Sequence, residues 1–347
     1  MEKKGEFYLK YVKITGLLFI IFALALVGCG SSQDDSGADS NEGAEETDAG
    51  SEDVVEGDTP DFLSMLTGGT SGTYYPLGGE MASIITQETG IQTDAVSSNA
   101  SADNIMAVHN GEAELAFTQT DVMANAAEGV NAFDEPIEDV LAIGSLYPET
   151  IQIVTTADSG INSVEDLAGK TVSVGAPGSG TYINAEQILE VHGMTMDDID
   201  AQNLDFGEST GGIQDGNIDA AFITAGTPTG AVEGLTATTD ISIVPVAADK
   251  AEALIEKYPY YATDVVSAGT YGLEEDVETV AVLAMLAVTD SLSEDLVYDI
   301  TKAIYENTEN MSHAKAEFIQ VETALDGIGI DLHPGAEKYF TEAGVLE

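Results

Sequence analysis

Arginine is missing from all 347 residues, and cysteine occurs once, at Cys29. Without arginine the chain has no planar fork for bidentate recognition of a carboxylate or phosphate. An anionic ligand would have to be held by backbone N–H groups, hydroxyls and amides, with at most a lysine to help. A single cysteine excludes a disulfide within the chain, so the fold has to rest on its core. Positive charge is scarce altogether: ten lysines stand against 62 Asp and Glu, a formal net charge of -52. The acids are spread evenly along the body, and no basic stripe exists to neutralise phosphates, which excludes nucleic acid as a partner. In ordinary salt such self-repulsion opposes compaction, whereas in molar salt the Debye length shrinks to about 3 Å and the penalty fades. The composition therefore points to a saline exterior.

Catalytic signatures are also missing. There is no GxSxG elbow, no P-loop and no HExxH, and the histidines, His109, His192, His313 and His333, are dispersed. The stretch "GAPGSG" is a weak fit to a dinucleotide loop, and no cofactor is implied.

At the N-terminus, Lys3, Lys4, Lys10 and Lys13 precede an apolar run from Ile14 to Val27. That run is short for a bilayer span and reads as the core of a signal peptide, residues 1–28. It ends in Leu26-Val27-Gly28-Cys29, a pattern similar to a bacterial lipobox, in which the cysteine is acylated and becomes the mature N-terminus. Residues 29–59 are Ser, Gly, Asp, Glu and Ala with almost nothing to bury, an expected disordered tether. The chain would then attach to a membrane through lipid alone, on the extracytoplasmic face.

Beyond the tether, short apolar runs alternate with helical patterns, the signature of an α/β protein with mainly parallel sheets. "FLSMLTG" reads as a strand; after it, Leu77, Met81, Ile84 and Ile85 fall at helical spacing, and Gly90 stops the helix. Ser101 and Gly111 sit where caps of a second helix belong. The tetrapeptide SGTY occurs twice, at Ser71–Tyr74 and Ser179–Tyr182, each time after a strand and before a helix. The segments "NGEAELAFTQT" from Asn110 and "DGNIDAAFITA" from Asp215 share a turn glycine, an acid and Ala-Phe, at nearly the same separation as the two SGTY copies. Two similarly built lobes follow: residues 60–147 with 269–347, and residues 148–268. "TVAVLAMLAV" from Thr279 to Val288 is a long strand, and helices are expected at 294–307 and 314–325.

A strand that ends in a Gly/Ser/Thr loop and turns into a helix offers free N–H groups carrying about half a positive charge, together with hydroxyls. Thr70, Ser71 and Thr73 in the first loop, and Ser179, Gly180 and Thr181 in the second, are thus candidates to face a shared cleft. Tyr74 and Tyr147 are candidate walls, each supplying apolar area and a hydroxyl. Gln119 and Asp121 follow the third strand, and Thr224, Ala225 and Gly226 stand at the matching place in the second half.

Taken together, "TGGTSGTYYPLGGEMA", "GEAELAFTQTDV", "AIGSLYPETIQIV", "SVEDLAGKTVSVGAPGSGTYINAEQIL", "GNIDAAFITAGTPTGAV", "LIEKYPYY" and "LDGIGIDLHPGAEKYF" resemble the TAXI family, the extracytoplasmic solute receptors of tripartite ATP-independent periplasmic (TRAP) transporters. The resemblance runs from about Phe62 to Gly344. It implies a type II periplasmic-binding-protein fold, two α/β lobes that close about a hinge on a small organic anion or an amino acid of the glutamate, glutamine or 2-oxoglutarate kind. It implies delivery of that solute to a membrane permease driven by an ion gradient. By motif it places Ser101 and Asn104 in a second binding loop, beside the candidates already named. In that loop the chain carries Asn99-Ala100 where the family has a Gly-Gly pair. Two other roles fit the same architecture: a receptor for an ABC importer, and a ligand sensor for a membrane histidine kinase. An enzyme is the weakest of the readings.

Overall fold

In the computed structural model, residues 60–346 are described. The expected signal peptide, tether and acylation of Cys29 lie outside the described residues.

Strand β1 (Phe62–Leu66) alternates exposed and buried positions, and helix α1 (Tyr74–Thr89) lays Leu77, Met81 and Ile85 on it, as their spacing predicts. Gly90 ends that helix in the left-handed conformation at φ 76°, its N–H bonded to the Thr86 carbonyl. Strand β2 (Gln92–Val96), helix α2 (Ser101–His109), strand β3 (Leu115–Gln119) and helix α3 (Thr120–Glu128) complete a parallel unit in the order β2-β1-β3. The second half repeats the pattern with β5 (Thr171–Ser173), α4 (Gly180–Val191), β6 (Asp200–Gln202), α5 (Phe206–Gln214), β7 (Ala220–Ala225) and α6 (Gly230–Thr236). There β5 pairs in parallel with β6 and β7. The matched segments agree in detail: Gly111 and Gly216 both hold φ 72°, and Phe117 and Phe222 are both fully buried.

Between these units run two long strands, β4 (Val140–Thr156) and β10 (Val277–Thr289). They pair antiparallel with each other; β10 also pairs antiparallel with β3, and β4 with β7. One sheet results, in the order β2-β1-β3-β10-β4-β7-β5-β6. Strands β8 (Ile241–Val244) and β9 (Ala262–Val266), joined by α7 (Ala248–Lys257), add to β4 and β10. The expectation of mainly parallel sheets is thus corrected: the ends are parallel and the centre is antiparallel, because β10 returns from far along the chain to lie between β3 and β4. Tyr147 stands inside the unbroken β4.

Alternate residues of each strand feed separate apolar clusters on the two faces of the sheet. Leu115 and Phe117 of β3 pack with α1, α8 (Glu294–Glu306) and α9 (Pro334–Ala343), while Ala116 packs with α2 and α3. In β7, Phe222 joins Ile188 of α4, and Ile223 joins Val232 of α6. The helix expected at 314–325 is not formed. Two short 3₁₀ turns, Ala314–Phe318 and Val321–Thr323, stand there, separated by an extended Ile319 at ψ 93°. Ala316, Ile319 and Ala324 are buried against the first cluster, so packing holds the segment without a helical stripe.

Candidate ligand cleft

The loops after β1, β2, β5 and β6 and the ends of β3 and β7 meet at one place around a cavity of about 110 Å³. That is below the roughly 300–1,000 Å³ of drug-sized ligand sites, so the space suits only a small solute. Nine of the residues singled out in the sequence line it: Thr73, Tyr74, Ser101, Gln119, Ser179, Gly180, Thr181, Thr224 and Ala225.

The two SGTY copies both reach the cavity, but they enter their helices differently. In the first, Thr73 is the N-cap and the helix begins at Tyr74; the Thr73 hydroxyl makes no cap bond and donates instead to the Gly226 carbonyl beyond β7, at 3.4 Å. In the second, Ser179 is the N-cap, its Oγ accepting from the Tyr182 N–H at 3.3 Å, and the helix begins at Gly180. The repeated tetrapeptide is therefore a repeat of sequence with two different registers on the helix. Other bonds also join the two halves across the cleft. Ala102 and Asp103 N–H donate to the Gly178 carbonyl at 3.0 and 3.3 Å, and Ala231 N–H donates to the Ser71 carbonyl at 3.0 Å.

Six of the residues singled out do not line the cavity. Thr70 is exposed, and Ser71 contributes its carbonyl to the bond just described. Asn104 is fully buried behind the wall, donating to the Thr67 and Phe117 carbonyls at 2.8 Å each, and so ties α2 to the ends of β1 and β3. Asp121 is buried at the start of α3 and accepts from Asn184 of α4 at 3.1 Å. Burial raises its carboxyl to about 6 against the hydrogen bonds that oppose the shift. Tyr147 is buried with its hydroxyl unpartnered and lines a separate cavity with Leu146, Pro148 and Phe318. Gly226 offers its carbonyl to Thr73 and Thr229, and a side chain there would collide with the Lys315 stem.

Residues not singled out for the lining include Gly68, Gly69, Gly72, Ser98, Asn99, Ala100, Glu149, Ala176, Asp205 and Phe206. Of these Glu149 carries the most chemistry. It is 2% exposed, two positions after Tyr147 on the same face of β4, and its Oε2 lies 2.8 Å from the Tyr74 hydroxyl. The same hydroxyl lies 2.9 Å from the Thr118 carbonyl. Burial lifts Glu149 to about 8, against hydrogen bonds from Tyr74 and Gln119 and with the Asp121 charge adding to the rise. Asp205 sits at the exposed rim and is engaged as the N-cap of α5, accepting from Glu208 N–H at 2.8 Å. No lysine or histidine lines the cavity. Two of its buried polar atoms, Gln119 Oε1 and Thr224 Oγ1, have no partner. Among the described residues no cluster of His, Cys, Asp and Glu is arranged to hold a metal ion.

Ala100 explains the Gly-Gly pair that the resemblance expects. It sits at φ 70°, ψ 179°, a region that glycine alone occupies readily, and Ser101 follows at φ 31°. Ala100→Gly is expected to raise the melting temperature by a few degrees, since relief of about 1–3 kcal/mol of strain exceeds the roughly 0.5–1 kcal/mol gained by the unfolded chain. Thermal unfolding checks it; an unchanged or lower midpoint would show that no strain is held there.

A family model matches residues 65–344, almost the whole described body. The chain belongs to the NMT1-like family. Its architecture is a type II periplasmic-binding-protein-like fold. Among solved structures it is similar to one titled as a periplasmic transporter, with TM-score 0.51 and 13% identity over 82% of this chain and 92% of that one. It is also similar to a protein of Bordetella bronchiseptica RB50, with TM-score 0.49, 17% identity and coverage of 82% and 81%. The periplasmic aliphatic sulphonate binding protein SsuA of Escherichia coli matches with TM-score 0.43 and 14% identity over 82% and 84%. Among the described residues of this NMT1-like chain, no helix is long and apolar enough to cross a membrane.

Proposed function

We propose that the chain is an extracytoplasmic solute receptor that captures a small organic anion or amino acid in the cleft and delivers it to a TRAP-type permease for uptake driven by an ion gradient. The observation that carries this reading is the cavity itself. Strand ends and loops of both halves wall it. Membership of the NMT1-like family and the TAXI-like motifs support the same reading. In it, residues 60–147 with 269–347 form one lobe and 148–268 the other, and β4 and β10 pass between them as the hinge. Solute that touches both loops only in the closed form shifts the population toward that form. Lipid on Cys29 holds the receptor at the outer face of the membrane.

Mass spectrometry of small molecules released by denaturing protein made in high salt tests the reading. One stoichiometric small solute is expected, and the same compound should raise the melting temperature of emptied protein. Conversion of that compound on incubation would instead favour an enzyme.

A further inference from the structure

With no lysine or histidine in its lining and no arginine in the chain, the cavity is poor in positive charge for a site meant for a doubly charged anion. What it does hold is a surplus of acceptors. Glu149 is buried in the wall, and two other lining atoms, Gln119 Oε1 and Thr224 Oγ1, have no hydrogen-bond partner. Unpartnered buried acceptors are costly unless a ligand supplies their hydrogens. A protonated amine matches this set, having three donors and no acceptor.

We propose that the Glu149 carboxylate receives a protonated amino group of the solute, with Gln119 Oε1 and the Thr224 hydroxyl completing its hydrogen bonds, and that each solute bound releases one proton to solvent. The proposal rests on the cleft being the solute site. It selects an amine-bearing solute over a plain dicarboxylate. Any carboxylate the solute carries falls to the hydroxyls of Ser101, Ser179 and Thr181 and to helix-start N–H groups.

The hydrogen bonds around Tyr74 show where the released proton comes from. One hydroxyl hydrogen faces two acceptors, the Thr118 carbonyl and Glu149. Both contacts are satisfied when Glu149 is protonated: its O–H donates to the Tyr74 oxygen, and Tyr74 donates on to Thr118. An arriving ammonium supplies the charge that lets Glu149 ionise, and the Glu149 proton leaves. The titratable groups that face Glu149 are Tyr74 from α1, Tyr147 from its own strand and Asp121 from α3, all neutral or negative at working pH. Strands β3, β7 and β10 carry no basic residue. The empty cleft thus keeps Glu149 protonated up to about pH 8. Because only the ionised form takes the amine, affinity rises about tenfold per pH unit below that value and levels off above it.

Calorimetry on the emptied full chain in high salt, with L-glutamate against glutarate and L-glutamine against glutaramate, tests this. Runs at pH 6, 7 and 8 in buffers of different ionisation enthalpy count the protons released. The amino member of the tighter pair is expected to bind at least about tenfold more tightly, since truncating one charged hydrogen-bond partner costs about 1.5–3 kcal/mol. Near one proton should leave at pH 6, and Glu149→Gln should abolish both the release and the preference. The wild-type pH series decides the question if that variant does not fold. Equal or tighter binding of the amine-free member overturns the proposal, as does affinity that falls with rising pH, because Glu149 would then be donating its proton to an anion. If neither pair binds and no small molecule copurifies, the receptor reading itself falls, and the proposal with it.

Discussion

Moved from 3 M to 0.1 M sodium chloride, the protein is expected to lose at least about 10 °C of melting temperature, the shift that a few kcal/mol produces in a chain of this size. The acids far outnumber any cations able to neutralise them. Among the described residues only Lys257 and Lys338 make lysine–carboxylate ion pairs, with Glu190 and with Glu294 and Asp295, and all of these side chains are largely exposed. Exposed pairs contribute at most about 1 kcal/mol each, so local pairing cannot offset the repulsion summed over the surface. Screening can: the Debye length falls from about 10 Å at 0.1 M to about 3 Å at 1 M. Salts also strengthen apolar burial, and a variant separates the two effects. Neutralising Asp134, Glu135, Glu138, Glu274 and Glu275, all exposed, to Asn and Gln leaves the core untouched. The salt curve of that variant should flatten. If variant and wild type follow the same curve, self-repulsion is not what the salt relieves.

Much of the architecture was legible because it depends on local pattern. Leu77, Met81 and Ile85 mark a helix face, Gly90 marks its end, and the two turn glycines at 111 and 216 open strands that bury matching phenylalanines. Long-range pairing left no such trace. The slot of β10 between β3 and β4 is decided by a partner more than a hundred residues away, and so the antiparallel centre of the sheet could not be read. Residues 314–325 misled for a related reason: their apolar positions serve packing against the first cluster, and helical periodicity does not require them.

The same division runs through the cleft. Residues at strand ends and helix starts, such as Thr224, Thr73 and Ser179, lie where ligands of open α/β sheets bind. Asn104 and Asp121 lie in the same motifs, yet their side chains turn back beneath the wall, a direction that residue type does not reveal. Glu149 was hidden by abundance, as one acid among 62. The signal available was its place two residues beyond Tyr147, on a strand with no other charged residue, where a lone carboxylate has to be either paired or protonated. Ala100 is the opposite case. The missing glycine pair at Asn99-Ala100 is visible in sequence, and the positive φ of Ala100 shows what the departure costs there.

Gly180→Val is expected to reduce solute affinity by roughly 5–150-fold, the range that overpacking by 1–3 kcal/mol allows. A β-carbon on Gly180 would stand 1.7 Å from Gln119 Oε1, closer than any two such atoms can come. Gln119 ends β3 in one half and Gly180 begins α4 in the other, so the glycine sets how closely the two halves approach over the cavity. Gln119 has little freedom to withdraw, because it is buried. The substitution does not break the helix, because the first helical position tolerates valine at a propensity cost of a few tenths of a kcal/mol. The added volume should therefore be felt in closure, with affinity falling and the radius of gyration by X-ray scattering in saturating solute rising. A double-mutant cycle with Gln119→Ala isolates the contact. Once the longer side chain is gone, adding Gly180→Ala should cost much less than it does alone, and a coupling energy near zero would mean that the two residues do not meet in the solute-bound form.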